Sequence, residues 1–343
     1  MPKNQRATAT AASLALLAFS LTACIDDDPN ITPDGAPAAS AATVTITATA
    51  DNFPVTVDNC GTQVTLNQPP ERVVTIKSTP TELLLALGLE DKIVGWAFQD
   101  DPVPEQWTQA AAAIPVLSEG VPSQEAVLAL NPDFVYAGWE SNVSDQGAGS
   151  RDSYAALGIA TYVSPSACKE PGYQPDPLTF ADVWGEIEEL GRLFGVEAAA
   201  TSLVEEQRTE LAAIAPVQNV TAFWWSSGED TPYAGAGIGA PQMIMDAAGL
   251  TNVLADVHDT WASVGWEELV ATDPDVIVLV DASWNSYDKK LADIAAHPAL
   301  QAMTAVKEQR FIRLPFAATE AGVRNVDTVK AVVDQTRAMG LGG

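Results

Sequence analysis

Three basic residues, Lys77, Lys169 and Arg324, fall in loops crowded with large aromatics, a combination that could hold a flat acidic molecule. Trp96, Trp139, Tyr162, Tyr173, Tyr233, Trp261 and Trp284 lie at or just past expected strand ends, with Ser226 and Asn285 among them. Aromatic faces stack on conjugated rings. Helices are expected to start at Lys77-Ser78-Thr79-Pro80 and near Pro241, and the free N–H groups of a helix start favour anions. Each aromatic alone could be core lining, and each cation alone could make a local ion pair; their convergence on one set of loops is the signal. Catalysis has little support. There is no Gly-x-Ser-x-Gly elbow, the two histidines lie far apart, and the glycine run at 235–239 matches neither GxGxxG nor a P-loop. The chain therefore reads as a binding protein with no bound metal and no resident cofactor, rather than an enzyme. Glu82 is expected on the first turn of a helix, at a lobe's outer edge.

The elements that must position these loops occur twice. SQEAVLALNPDFVYAGW ends at Trp139, and GWEELVATDPDVIVLVDASW ends at Trp284. Glu125 matches Glu267, Pro132 matches Pro274 and Asp133 matches Asp275 at one constant offset. Each copy is a short apolar helix, an Asn/Asp-Pro-Asp break, and a β-branched run. A second pair, LLLALGLEDKIVG and IMDAAGLTNVLA, aligns Gly88 with Gly249. Strands alternating with helices argue parallel sheets. The expected fold class is α/β, with two Rossmann-like lobes and a ligand cleft between them. In such sheets ligands bind beyond the carboxyl ends of the strands. Residues 55–66 read as a hairpin around Asn59-Cys60-Gly61. Apolar residues at helical spacing over 180–194, followed by a second run ending at Pro216, mark the connection between the lobes.

Lys3, Arg6 and an apolar stretch from Ala11 to Ala23 read as a signal peptide over 1–23. Leu21-Thr22-Ala23-Cys24 resembles a bacterial lipobox, which implies cleavage before Cys24, lipidation of its thiol, and residence on the outer face of the cell membrane. Residues 24–50 lack large apolar side chains and read as a tether. An N-terminal lobe over 51–175, a helical connector over 176–216 and a C-terminal lobe over 217–343 follow. With 45 acidic residues against 17 basic and a net charge of −28, long-range attraction to nucleic acid is excluded. If Cys24 carries lipid, Cys60 and Cys168 remain as a candidate disulfide; two separate buried thiols are the alternative.

Several segments together resemble the substrate-binding proteins of ABC importers for ferric siderophores, haem and cobalamin. They are VDNCGTQVTL, PERVVTIKSTPTELLLALGLEDKIVG, LNPDFVYAG, the mid-chain helix and DPDVIVLVD, and coverage runs from about Val55 to the C-terminus. The resemblance implies two lobes joined by a single long helix. It also implies a monomer that delivers its ligand to a permease and its ATPase subunits, docking through one glutamate per lobe. Glu82 matches the first docking glutamate; the repeat puts Met243 at the second position, with Asp246 or another acidic residue as a substitute. TYVSPSACKEPGYQPDPLTF, SSGEDTPYAGAGIGAPQMIMDAAGL and ATEAGVRNVD narrow the resemblance to the actinobacterial F-420-0 transporter binding proteins. That narrower likeness implies a deazaflavin ligand, stacked by the aromatics and held by Lys77, Ser78 and Arg324. A ferric siderophore or another metal chelate is the alternative cargo, and an extracytoplasmic cofactor-modifying enzyme is the alternative from another class.

Overall fold

The computed structural model describes residues 52–343. The expected signal peptide, Cys24 and the tether lie outside the described residues. After a hairpin of β1 (Val55–Asn59) and β2 (Thr62–Leu66), strands and helices alternate. They run β3 (Val73–Ile76), α1 (Ser78–Ala86), β4 (Ile93–Ala97), α2 (Thr108–Ala111), β5 (Val116–Ser118), α3 (Gln124–Leu128), β6 (Phe134–Ala137), α4 (Arg151–Ala155) and β7 (Ala160–Val163). The sheet is parallel, in the order β5-β4-β3-β6-β7. Its central strands β3 and β6 are buried at every residue, because helices cover both faces. The chain winds outward from β3 to β5, then returns to β6 on the other side. The carboxyl ends of β3 and β6 therefore frame a topological switch point.

The second lobe holds β8 (Val220–Ser227), β9 (Tyr233–Gly235), α7 (Ala240–Ala248), β10 (Leu250–Asn252), β11 (Trp261–Ser263), α8 (Trp266–Thr272), β12 (Val276–Asp281), α9 (Tyr287–Ala296), α10 (Thr304–Lys307), β13 (Phe311–Pro315) and α11 (Asn325–Ala338). Its sheet runs β11-β9-β8-β12-β13, with β10 also on β8, and β9 and β11 are antiparallel to their neighbours. The repeated Asn/Asp-Pro-Asp break does the same work in each lobe. Asn131 and Asp273 take left-handed conformations (φ 47° and 41°) that end α3 and α8. The following aspartates then tie the next strand to its neighbour. Asp133 accepts from the Glu71 and Arg72 N–H groups at 2.9 Å, and Asp275 accepts from the Thr221 N–H at 2.8 Å.

Between the lobes stand α5 (Phe180–Phe194) and α6 (Glu197–Ala213). The expected single long helix is thus corrected to two. Gly195, at φ 66°, stops α5, and α6 folds back along it. Trp184 reaches Gln207 at 3.0 Å, and Gly191 lies close enough to Ala200 that only a glycine fits. One end of this pair, with Phe180 and Val183, packs into the C-terminal core. The other end, with Ile187, Leu190, Ala200 and Val204, packs into the N-terminal core. The helical hairpin is part of both lobes.

Cys60 and Cys168 form a disulfide joining the tip of the first hairpin to the loop after β7. The same hairpin is pinned by Asn59, whose side chain bonds both the N–H and the C=O of Val163 at 2.8 Å, and by Arg151, which donates to the Asn59 carbonyl at 2.9 Å. The bond closes a sequence separation of 108 residues. Replacing both cysteines with serine is expected to lower stability by about 2–4 kcal/mol. The midpoints of urea unfolding for wild type and variant measure this.

Candidate functional site

A cavity of about 660 Å³ opens between the carboxyl ends of the two sheets, within the range of about 300–1,000 Å³ typical of small-molecule sites. β6 leads into Trp139 and Glu140, and β7 into Ser164 and the loop carrying Lys169. From the other lobe, β8 ends at Ser226 and Ser227, β12 leads to Trp284, and β13 leads to Phe316 and Glu320. The start of α7, with Gly239 and Ala240, completes the wall.

The aromatics form two surfaces. Tyr233 stacks on Trp261 with ring centroids 5.8 Å apart and planes 18° from parallel. Trp284 meets Phe316 edge-on at 4.8 Å. Tyr233 is 42% exposed and Trp284 50% exposed, so both keep open apolar faces toward the cavity. Open aromatic surface in a concave site is what a stacking ligand would cover.

Beneath this surface lies Lys77, 1% exposed, with φ 88°. Its ammonium pairs with Asp100 and sits 3.7 Å from the Trp139 ring centroid, 4.5 Å from Phe98 and 5.0 Å from Phe316. Gly138 makes room for it, since a Cβ there would come within 2.8 Å of the Lys77 Cβ. The expectation that Lys77 and Ser78 contact ligand is corrected. The ammonium is neutralised by Asp100, and Ser78, fully buried, accepts from the Asp100 N–H at 2.8 Å. Asp100 therefore occupies the start of α1, where a ligand anion was expected.

Arg324 and Glu82 are corrected together. Arg324 bonds Glu82 in a two-pronged ion pair, with Nε to Oε2 at 2.6 Å, and also reaches the Pro102 carbonyl at 3.2 Å. Arg324 lines a second, smaller cavity beside α6 and α11, away from the aromatic one. Glu82 lies one turn further along α1 than expected and is 0% exposed. It faces the other lobe, so it offers nothing to an outside partner. Burial pushes its carboxyl up against the pull of Arg324, and burial also raises Asp101, which accepts from the Ala317 N–H across the lobes. Met243 is buried, and Asp246 is exposed.

Trp139, Ser226, Tyr233, Trp261, Trp284 and Lys169 are brought together at the cavity, and four other expected residues are not. Tyr162 is fully buried and donates to Glu189 at 2.7 Å. Trp96 packs into the N-terminal core. Asn285 is buried behind Trp284, its carbonyl accepting from the Lys290 ammonium at 2.8 Å. Tyr173 bonds Asp58 on the outer surface at 3.0 Å. Glu320 is the residue sequence reasoning missed. It accepts from the Trp139 indole N–H at 2.6 Å, bridging the lobes, and burial raises its carboxyl despite the nearby Lys77 charge. Among the described residues no group of His, Cys, Asp or Glu could hold a metal ion.

Behind the cavity wall, Glu186 of α5 is buried and accepts from the Tyr136 hydroxyl at 2.6 Å. Burial pushes its carboxyl from 4.5 up to about 7. The folded protein thus holds this proton more tightly than the unfolded chain. The associated stability is present below pH 4.5 and is lost as pH rises through 7. Glu186→Gln is expected to remove a decline of about 3 kcal/mol over that window. Urea unfolding of both proteins at a series of pH values checks the slope.

A family model described as periplasmic binding protein matches residues 73–318. The chain is 32% identical over 246 residues to a cobalamin-binding protein of Halobacterium salinarum, covering 67% of this chain and 59% of that one. It is 24% identical over 291 residues to an uncharacterized ABC transporter substrate-binding lipoprotein, YvrC, of Bacillus subtilis, covering 82% of this chain and 85% of that one. Among solved structures it resembles an ABC-type Fe3+-hydroxamate transport system protein from Saccharomonospora viridis, with a TM-score of 0.72, 29% identity, and coverage of 82% and 99% of the two chains. A periplasmic binding protein from Veillonella parvula gives a TM-score of 0.73 at 27% identity, with coverage of 83% and 97%.

Proposed function

The chain belongs to the periplasmic binding protein family, and from that premise we propose that it captures a small organic solute outside the cytoplasm and delivers it to the permease of an ABC importer. The observation that carries this reading is the open aromatic cavity at the carboxyl ends of both sheets, on whose lining burial raises the Glu320 carboxyl. Among the described residues its carboxylate is bonded by the Trp139 indole and by no nucleophile or base, which favours capture over turnover. Cys24 would anchor the monomer to the membrane through the 24–50 tether.

The cargo we favour is a chelate with a broad organic frame. The relatives named for cobalamin and for Fe3+-hydroxamate support this, and so does the lining, which would leave metal coordination to the chelator itself. A deazaflavin is the second reading. Its flat ring suits the Tyr233–Trp261 wall, with Lys169 and the start of α7 as the remaining groups for its anions. Cobalamin, a ferric trihydroxamate and a deazaflavin, each titrated against intrinsic fluorescence, separate the readings. Saturable quenching by a chelate that weakens about tenfold or more in Trp284→Ala is expected. Quenching by the deazaflavin alone would reverse the order, and silence from all three would remove both.

Docking needs exposed carboxylates, and the repeat supplies a pair. Glu125 and Glu267 occupy matching positions in the first turns of α3 and α8, and both are exposed. We assign them the role expected of Glu82. In vesicles carrying the permease and its ATPase, the double variant Glu125→Ala/Glu267→Ala should lose most ligand-stimulated ATP hydrolysis while its ligand affinity stays unchanged.

A further inference from the structure

We propose that Glu320 selects solutes that present a hydrogen-bond donor, an amide or an ammonium group, to the inner end of the cavity, and disfavours those that present a carboxylate or phosphate there. This deepens, and rests on, the binding-protein reading. Glu320 lines the cavity, and its Oε2 is fixed by the Trp139 N–H at 2.6 Å. No other hydrogen bond reaches this carboxylate among the described residues, so Oε1 stands free. The cations that would reverse the local charge are occupied. Lys77 is bound by Asp100 and enclosed by three aromatic rings, and Arg324 is held by Glu82 and the Pro102 carbonyl.

The remaining charges on the lining reinforce this. Glu140, the second acid there, receives the backbone N–H of Lys169. The Lys169 side chain belongs to an exposed loop, and no ion pair holds it among the described residues. A ligand anion could meet Lys169 at the rim, but at Glu320 it would meet a carboxylate whose nearest cation, Lys77, is already offset by Asp100. A donor there would gain a charge-assisted hydrogen bond in partly desolvated surroundings. Position, and not net charge alone, sorts the ligands: acceptors outward, donors inward.

The test uses two pairs of probes that differ at one group. One pair is a ferric trihydroxamate ending in an ammonium and the same chelate succinylated on that amine. The other is cobalamin and its monocarboxylic acid hydrolysis product. Calorimetric titration of the purified full-length protein should show the donor-bearing member of a binding pair favoured by about tenfold or more. In Glu320→Gln, which keeps an oxygen for Trp139 but drops the charge, that preference should shrink to about threefold or less. Equal binding of both members by the wild type, or a preference that survives in Glu320→Gln, would overturn the selection while leaving the binding-protein reading intact. No binding by any of the four probes would overturn the chelate reading and the inference with it. Should the variant fail to fold, as judged by its melting curve, the wild-type pair comparison decides alone.

Discussion

Everything at the centre of this molecule is arranged around one buried cation. The Lys77 ammonium sits at the switch point of the N-terminal sheet, out of water, where an unpaired charge would be prohibitively unstable. Asp100 neutralises it, and the faces of Phe98, Trp139 and Phe316 surround it. Phe316 belongs to the other lobe, so the solvation of this charge is completed only when the lobes are together. Trp139 serves twice, with its face toward Lys77 and its N–H toward Glu320. The same ring that stabilises the cation thus orients the carboxylate that meets the cavity.

The lobes are tied on both sides of that centre. Glu82 and Arg324 form one buried tie, Asp101 and the Ala317 N–H another, and the α5–α6 hairpin contributes residues to both cores. Separating the lobes would expose charges whose partners lie across the divide, and would bend two packed helices as one. Large hinge opening is disfavoured on those terms. Ligand entry then depends on the rim, where the exposed Lys169 loop and the half-open Tyr233 and Trp284 face solvent. A frame tied across its two lobes, with an exposed rim, suits a site whose bound shape differs little from its free shape.

The scaffold was legible because its signals are local. The Asn/Asp-Pro-Asp breaks, the β-branched runs after them and the glycines ending helices each act within a few residues, and the elements appear where those signals place them. The cavity was partly legible for a related reason. Strand ends identify which loops face the cleft, and Trp139 and Trp284 follow from that, while Trp261 opens the antiparallel strand β11. Position at a strand end does not say which way a side chain turns. Tyr162 turns into the core toward Glu189, and Trp96 packs inward from β4. The charge assignments failed because their partners are distant in sequence. Nothing near Lys77 marks Asp100 as its mate, and Glu82 meets a residue in the opposite lobe. Glu320 was overshadowed by Arg324 four positions on, whose charge looked like the more useful one in that loop.

That exchange changes what the site can recognise. A loop set counted by residue type carries Lys77, Lys169 and Arg324, and suggests an anion-binding cleft. Counted by what remains unpaired on the lining among the described residues, it carries a free carboxylate oxygen beside an aromatic wall, with one exposed lysine at the rim. A charge neutralised within the protein contributes little to a ligand, because its field is cancelled over a distance shorter than the cavity. A ligand in the cavity would therefore meet the residual pattern: apolar faces for stacking, the hydroxyl of Ser226, and an acceptor at Glu320. This pattern suits a broad frame with neutral or donor-bearing edges better than one fringed with acids. The structural cations hold the lobes together, and the recognition falls to the groups they leave unpaired.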